Sequence, residues 1–310
     1  MKIVVVGPGA LGSLFYSLLK GNTDHELFFL DHNPGRTEYL RRQGLFLLKG
    51  GEQHHTEVSI SCNPEEIGAA EAVLLCVKSA AVEKCLEALP VLLGENGLLI
   101  AFQNGISHLD LLQQQPALKG RFALGVTSEG ASSPEAGWVV HGGSGITRIG
   151  FSGPPAGQSA AILDRLVQAM NRAGFMTVIE KDILAQVWNK LLVNAGINAL
   201  TVIYNCPNGQ LLERDDARAA LAAAVKEAAA VARAKNIAII DDPVGLTEEI
   251  CRKTAANISS MLQDVRKKRT TEIEAINGAI VREAAAYGLP VPVNTELVEK
   301  VKKIEQPPSL

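Results

Sequence analysis

Gly7-Pro8-Gly9-Ala10-Leu11-Gly12 follows directly on the apolar run Ile3-Val4-Val5-Val6 and opens a segment, Ala10 to Lys20, in which Leu11, Leu14, Phe15, Leu18 and Leu19 recur at helical spacing. No other feature of the chain restricts its fold as strongly. A strand, a glycine turn and a helix in that order ask different things of their glycines. Gly7 permits the tight turn, Gly9 lets the backbone approach a ligand closely, and Gly12 lets helix pack on strand. The helix N-terminus then presents unpaired N–H groups to an anion. GxGxxG alone is a weak signal. Placed between strand and helix, the stretch Gly7, Pro8, Gly9, Ala10, Leu11, Gly12 becomes a candidate cradle for the pyrophosphate of a dinucleotide.

The segments that follow fit this start. Glu26 to Leu30 reads as a second strand ending at Asp31, and Ala72 to Val77 and Leu98 to Phe102 are apolar throughout, without polar alternation. Continuous apolar strands separated by helices predict a parallel sheet covered on both faces. From Arg121 to Phe151, glycines punctuate short strands, which predicts added antiparallel strands or hairpins at one sheet edge. Beyond Lys181 the pattern turns helical over Asp182–Ile203, Ala217–Asn236, Leu246–Met261 and Thr271–Tyr287, the second of these rich in alanine. The expected organisation is an α/β domain over residues 1–180 and an all-α domain over residues 181–310. The tail Glu305 to Leu310, with two prolines, is expected to fray.

Composition removes several classes of function. A net charge of -3, from 30 basic and 33 acidic residues, offers no basic surface for nucleic acid. The longest apolar runs are strand-sized, so no membrane span is expected, and the first apolar run is too short for a signal peptide. A cytoplasmic protein is expected. The five cysteines are scattered without CxxC spacing, which fits a reducing compartment and no metal site.

Candidate ligand contacts cluster at strand ends. Asp31 stands where an acidic group accepts hydrogen bonds from ribose hydroxyls, which favours NAD. His32 and Arg36 follow, and Arg36 can supply a fork for a 2'-phosphate, which favours NADP. Both readings stay open. Lys78 closes the Leu74–Val77 run and Asn104-Gly105 follows Gln103 beyond Phe102, placing a cation and an amide toward the nicotinamide side. In the helical half, Lys190, Asn194 and Asn198 recur at i, i+4 and i+8 and form one polar stripe among Leu191, Leu192, Val193, Ala195 and Ile197. Such a stripe on a largely buried helix costs free energy unless it has partners, and a ligand cleft supplies them. Reduction of a ketone needs an acid for the developing alkoxide and donors for the substrate carboxylate. Lys190 suits the first role. Glu272 can pair with it, with Glu274 the rival carboxylate.

Taken together, these motifs resemble the ketopantoate reductase (2-dehydropantoate 2-reductase) family across essentially the whole chain. The resemblance rests on the glycine turn, Val77-Lys78 and Asn104-Gly105 in the first half. In the second it rests on Trp188-Asn189-Lys190-Leu191 with Asn194 and Asn198, Asn205-Cys206-Pro207-Asn208-Gly209, Asn257-Ile258-Ser259-Ser260, Thr271-Glu272-Ile273 and Ile276-Asn277-Gly278. It implies a Rossmann-type domain followed by a helical domain like that of 6-phosphogluconate dehydrogenase, and NADPH-dependent reduction of ketopantoate to pantoate on the way to pantothenate and coenzyme A. It also implies that Lys190 is the general acid and Glu272 its acidic partner, that Asn194, Asn198, Ser260 and Asn208 bind substrate, and that Asn104 and Lys78 lie beside the cofactor. Asp31-His32 departs from the basic residue many members carry there, leaving NAD open. A related reductase of another branched 2-keto acid and a non-catalytic dinucleotide sensor are the alternatives; a monomer or a homodimer is expected.

Overall fold

A computed structural model of the chain describes residues 1–22 and 25–305. The chain divides into two compact units, one formed by residues 1–103 and 109–183, the other by residues 104–108 and 184–310.

The first unit is built on a sheet of eight strands. In chain order they are β1 (Lys2–Val6), β2 (Glu26–Leu30), β5 (Ile60–Ser61), β6 (Ala72–Leu75), β7 (Leu98–Ala101), β8 (Phe122–Thr127), β11 (Ile146–Gly150) and β12 (Met176–Ile179). Their spatial order is β12-β11-β8-β7-β6-β1-β2-β5. Every neighbouring pair is parallel except β11 against β8, whose register sets Thr147 opposite Thr127. The strands lack polar alternation because both faces are covered: Ile3, Val4 and Val5 have no exposed surface, nor do Val73 and Leu74. The Ala10–Asn22 helix buries Leu14, Phe15, Leu18 and Leu19, and Phe15 meets Phe102 and Phe175 at ring-centroid distances of 4.9 and 5.1 Å. The Ser159–Arg172 helix adds an apolar stripe of Ile162, Leu163, Leu166, Ala169 and Met170.

The glycine-punctuated region does supply an antiparallel strand near the sheet edge, β11. Its other strands go elsewhere. β9 (Gly130–Ser132) and β10 (Trp138–Gly143) join β3 (Leu45–Lys49) and β4 (Glu52–Thr56) in a separate sheet of order β4-β3-β10-β9. The β3–β4 hairpin has a polar outer strand, Glu52-Gln53-His54-His55-Thr56, whose exposure masks its pairing in the sequence. Stacking of Phe46 on Trp138, at 4.9 Å and 19°, fastens β3 to β10.

In the second unit, the Ile183–Tyr204 helix is buried on most sides through Trp188, Leu191, Leu192, Ala195, Ala199 and Leu200. The Asp215–Ala234 helix carries the alanines, with Ala217, Ala224, Ala228, Ala229 and Ala232 all buried. Two of the expected helices are interrupted. The stretch Leu246–Met261 resolves into Pro243–Lys253 and Ser260–Arg266. Between them, the N–H groups of Asn208 and Gly209 capture the carbonyls of Asn257 and Ala255, and Ser259 accepts from the Leu262 N–H as an N-cap. The helix expected from Thr271 begins only at Asn277. Residues 271–276 form turns because Thr271 Oγ1 takes the Ile273 N–H and the Ala275 carbonyl accepts from Ile106. Asn277 links the Ala195 carbonyl to Asn294, which is held in turn by Glu227. The Pro292–Glu305 helix ends the described chain. Of the tail expected to fray, residues 306–310 lie outside the described residues, and Glu305 Oε1 accepts the Thr271 N–H at 2.7 Å. Among the described residues no helix is long and apolar enough to cross a membrane.

His108, 2% exposed, carries a buried Nδ1 with no hydrogen-bond partner, and burial pushes its imidazole down to about 4. Between about pH 4 and the ordinary histidine value, the unfolded chain binds a proton that the folded chain refuses, so stability falls as pH falls through that window. The expected loss is about 3 kcal/mol at most, at ~1.4 kcal/mol per unit. Urea unfolding midpoints across that window should show it, and His108→Leu should flatten the dependence; a variant with the parent's slope would exclude His108 as its source.

Candidate active site

The order of the large sheet reverses at β1 and β6, and in open parallel sheets ligands collect beyond the carboxyl ends of the strands at such a point. Gly7 leaves β1 there. Its φ of +95° is a conformation that strains side-chain-bearing residues, and a Cβ would stand 2.7 Å from Val77 Cγ1. Gly12 is buried, and a Cβ on it would run into the carbonyl oxygen of Gly7. Gly9 differs: it is exposed, with nothing within 4 Å of where a Cβ would lie. Pro8 is buried, while Ala10 and Leu11 open the 13-residue helix, whose first turn includes a 2.8 Å bond from Ser13 N–H to the Gly9 carbonyl. An open glycine backbone at the start of a helix fits a dinucleotide pyrophosphate.

At the end of β2, Asp31 and Arg36 are bound to each other. Arg36 Nε and Nη2 donate to the two carboxylate oxygens at 2.5 Å each, and the Asp31 side chain has no exposed surface. Asp31 holds the guanidinium above its ordinary value, against the effect of burial. The exposed His32 places Nδ1 3.4 Å from the same carboxylate. Asn33, rather than Asp31, caps the Pro34–Gln43 helix. Lys78 is exposed beyond β6, its carbonyl accepting from Ala81 N–H at 2.9 Å. Gln103, not singled out in the sequence, is 9% exposed and donates both amide hydrogens, to the Leu75 carbonyl at 2.8 Å and the Val77 carbonyl at 3.0 Å. Its position one residue before Asn104 was the available signal.

In the second unit the structure brings Asn104, Lys190 and Glu272 together. Asn104 Nδ2 donates to Glu272 Oε2 at 2.9 Å. Gly105 follows with φ +76°, and its close approach to the Ala275 carbonyl leaves no room for a Cβ. Burial pushes the Lys190 ammonium below the ordinary lysine range, and the negative charge of Glu272 opposes that fall. Glu274 is engaged elsewhere, paired with Arg282 at 3.0 Å and with Lys302. On the Lys190 helix, Asn194 is half-buried and Asn198 is 5% exposed. Asn208 is also buried; Nδ2 donates to Thr254 Oγ1 at 2.9 Å, and Oδ1 has no partner among the described residues. Ser260 is exposed at the first position of its helix, while the neighbouring Ser259 is consumed by capping and by a 2.6 Å bond to Thr201.

A doubly wound sheet with a glycine cradle at its switch point, joined in sequence to a helical unit bearing a part-buried lysine coupled to a carboxylate, defines an oxidoreductase of the nicotinamide-dinucleotide class. Residues 3–153 match the model of the family described as ketopantoate reductase PanE/ApbA, and residues 182–305 match that of its C-terminal region. A 2-dehydropantoate 2-reductase of Halobacterium salinarum is 32% identical over 304 residues, covering 97% of this chain and 98% of the relative. The enzyme of the same name from Escherichia coli O157:H7 is 32% identical over 307 residues, covering 98% and 95%. Among solved structures, a PanE/ApbA family ketopantoate reductase from Ralstonia eutropha aligns with a TM-score of 0.87 at 28% identity, covering 98% of each chain. A D-mandelate dehydrogenase solved with NADH and anilino(oxo)acetate aligns at 0.90 and 26% identity, again covering 98% of each. The chain belongs to the ketopantoate reductase family.

Glycine substitutions should separate folding from ligand binding. Gly12→Ala forces an overpacked contact expected to cost about 1–3 kcal/mol. Gly9→Ala has room for its methyl and should stay within ~0.5 kcal/mol of the parent in urea unfolding, yet weaken dinucleotide binding. Equal destabilisation by both would contradict the assigned roles.

Proposed function

We propose that this protein reduces 2-dehydropantoate to pantoate with NADPH. The observation that carries the reading is the Glu272 carboxylate, bonded to Asn104 and electrostatically coupled to the part-buried ammonium of Lys190. When bound, the reduced nicotinamide supplies hydride to the ketone carbon. Lys190 then gives a proton from Nζ to the ketone oxygen, which gains negative charge as the carbonyl is reduced. An ammonium made more acidic by burial is better matched to that transfer than an ordinary lysine. Glu272 keeps it charged enough to hold the proton until it is needed, and Asn104 fixes the carboxylate's orientation. Asn194, Asn198, Asn208 and Ser260 are assigned to the substrate, its carboxylate and hydroxyl offering acceptors and donors that suit amide and hydroxyl side chains.

NADPH is favoured over NADH by the Asp31–Arg36 pair. With both carboxylate oxygens engaged, Asp31 no longer offers a pair of acceptors to the ribose hydroxyls. Its charge is offset where a 2'-phosphate has to lie, and the part-exposed guanidinium provides a phosphate fork. A second reading, an NADH-dependent reductase of another 2-keto acid, draws on Asp31 itself and on the likeness to the NADH-bound D-mandelate dehydrogenase.

The direct test is the initial rate of cofactor oxidation with 2-dehydropantoate against both reduced cofactors; absence of turnover with either sinks the proposal. Lys190→Ala should lose kcat by about 10²–10⁴-fold with little change in cofactor affinity. Because the acid form is the active one, kcat/KM should fall as pH rises through the Lys190 value, below the ordinary lysine range. Glu272→Gln removes the anion that holds this value up, so the alkaline limb should move to still lower pH. Arg36→Ala should raise KM for NADPH by about 10- to 100-fold, the worth of a charged hydrogen bond, and leave KM for NADH far less affected. A uniform effect on both cofactors would remove Arg36 from the choice.

A further inference from the structure

Gln103 has a hydrogen-bonding capacity that its surroundings leave unused. Both hydrogens of its amide go to β6, to the carbonyls of Leu75 and Val77. Since only nitrogen can make those two bonds, the orientation of the amide is determined: the other atom is oxygen. That oxygen, Oε1, is buried and has no hydrogen-bond partner among the described residues. Leaving a buried acceptor unsatisfied is costly, and such atoms in native structures call for a physical reason.

The place of Gln103 in the fold supplies one. It stands beyond the carboxyl end of β7, alongside the end of β6, and the Val77 it grips is the residue packed against Gly7 of the glycine turn. Asp31 marks the adenosine side of that turn, at the end of β2, on the opposite flank of β1. Gln103 therefore lies on the nicotinamide flank. The donors a dinucleotide carries on that half are the carboxamide N–H groups and the ribose hydroxyls.

We infer that Gln103 is a cofactor-binding residue: its Oε1 accepts a hydrogen bond from the nicotinamide nucleoside half of the dinucleotide, while its amide nitrogen holds the Leu75–Val77 backbone in place against Gly7. The inference rests on the dinucleotide-binding reading above and adds to it a residue that orients the reactive half, as distinct from the anchoring pyrophosphate.

Equilibrium binding, followed by quenching of protein fluorescence, tests it. Gln103→Met should weaken NADPH binding by about threefold to tenfold, the worth of one neutral hydrogen bond. Binding of adenosine 2',5'-bisphosphate, which lacks the nicotinamide half and feels only the loss of the two bonds to β6, should weaken by a clearly smaller factor. Equal weakening of both ligands, or of neither, overturns the inference. A second variant does not depend on the first one folding. Gln103→Glu places a carboxylate where the neutral oxygen stood, so the cationic ring of NADP⁺ should gain on the neutral ring of NADPH, and the ratio of the two Kd values should move toward the oxidised form by at least about threefold. An unmoved ratio places Oε1 away from the ring and overturns the inference. The 3-acetylpyridine analogue, whose methyl replaces the carboxamide nitrogen, then identifies the donor. If the parent discriminates against it and Gln103→Met does not, the amide is the donor; equal discrimination by both identifies the ribose. A parent that binds neither NADPH nor NADH fails the functional reading itself, whereas a parent that binds both while Gln103→Met binds them equally well fails this inference alone.

Discussion

A cation withdrawn from water needs a fixed anion, and the helical unit is organised around that requirement. The Lys190 ammonium is disfavoured by burial, and Glu272 supplies the compensating charge. A carboxylate at the end of a flexible segment would be a poor partner, because its own side chain would have to be ordered each time. Here the segment is braced. The Ala275 carbonyl accepts from Ile106, Thr271 bonds Ile273 and Glu305, and Asn104 donates to the carboxylate itself. The break in helix over residues 271–276 therefore serves the pair, since a continuous helix over 271–287 would commit those backbone groups to one another.

Much of the fold was legible because its signals are local and additive. Strand β1, the glycine turn and the helix after it are contiguous, and each carries the residues its geometry demands. The apolar strands β6 and β7 declare a doubly covered sheet without help from distant residues. The polar stripe of Lys190, Asn194 and Asn198 is likewise visible, since helical spacing alone puts the three on one face.

What stayed hidden depends on partners far away in sequence. Nothing in Glu52-Gln53-His54-His55-Thr56 announces a strand; it is one because β3 lies beside it and β10 beside β3. The helices through Leu246–Met261 and Thr271–Tyr287 looked continuous because their interruptions are imposed by the distant N–H groups of Asn208, Gly209 and Ile106. Asp31 and Arg36 were read as alternatives, one for each cofactor, whereas the folded chain makes them a single neutral unit. Gln103 was placed at its strand end but given no role for the same reason: a glutamine there says little until the fate of each of its amide atoms is known.

The small sheet carries a consequence for how the chain reaches its native state. Trp138 pairs in register with Phe46, so β10 completes a parallel ladder begun in a distant stretch of the chain. A pairing of such long range closes a large loop, and its entropic cost falls before any reward is gained. The β3–β4 hairpin can form early and locally, whereas β10 reaches β3 only across the intervening chain that carries β5 to β8. Assembly of this sheet is thus a late step in folding, and during synthesis the apolar edge of β3 waits unpaired until residue 138 has emerged. The charged and polar β4 shields its other flank throughout that interval, which limits the strand's capacity to recruit other chains.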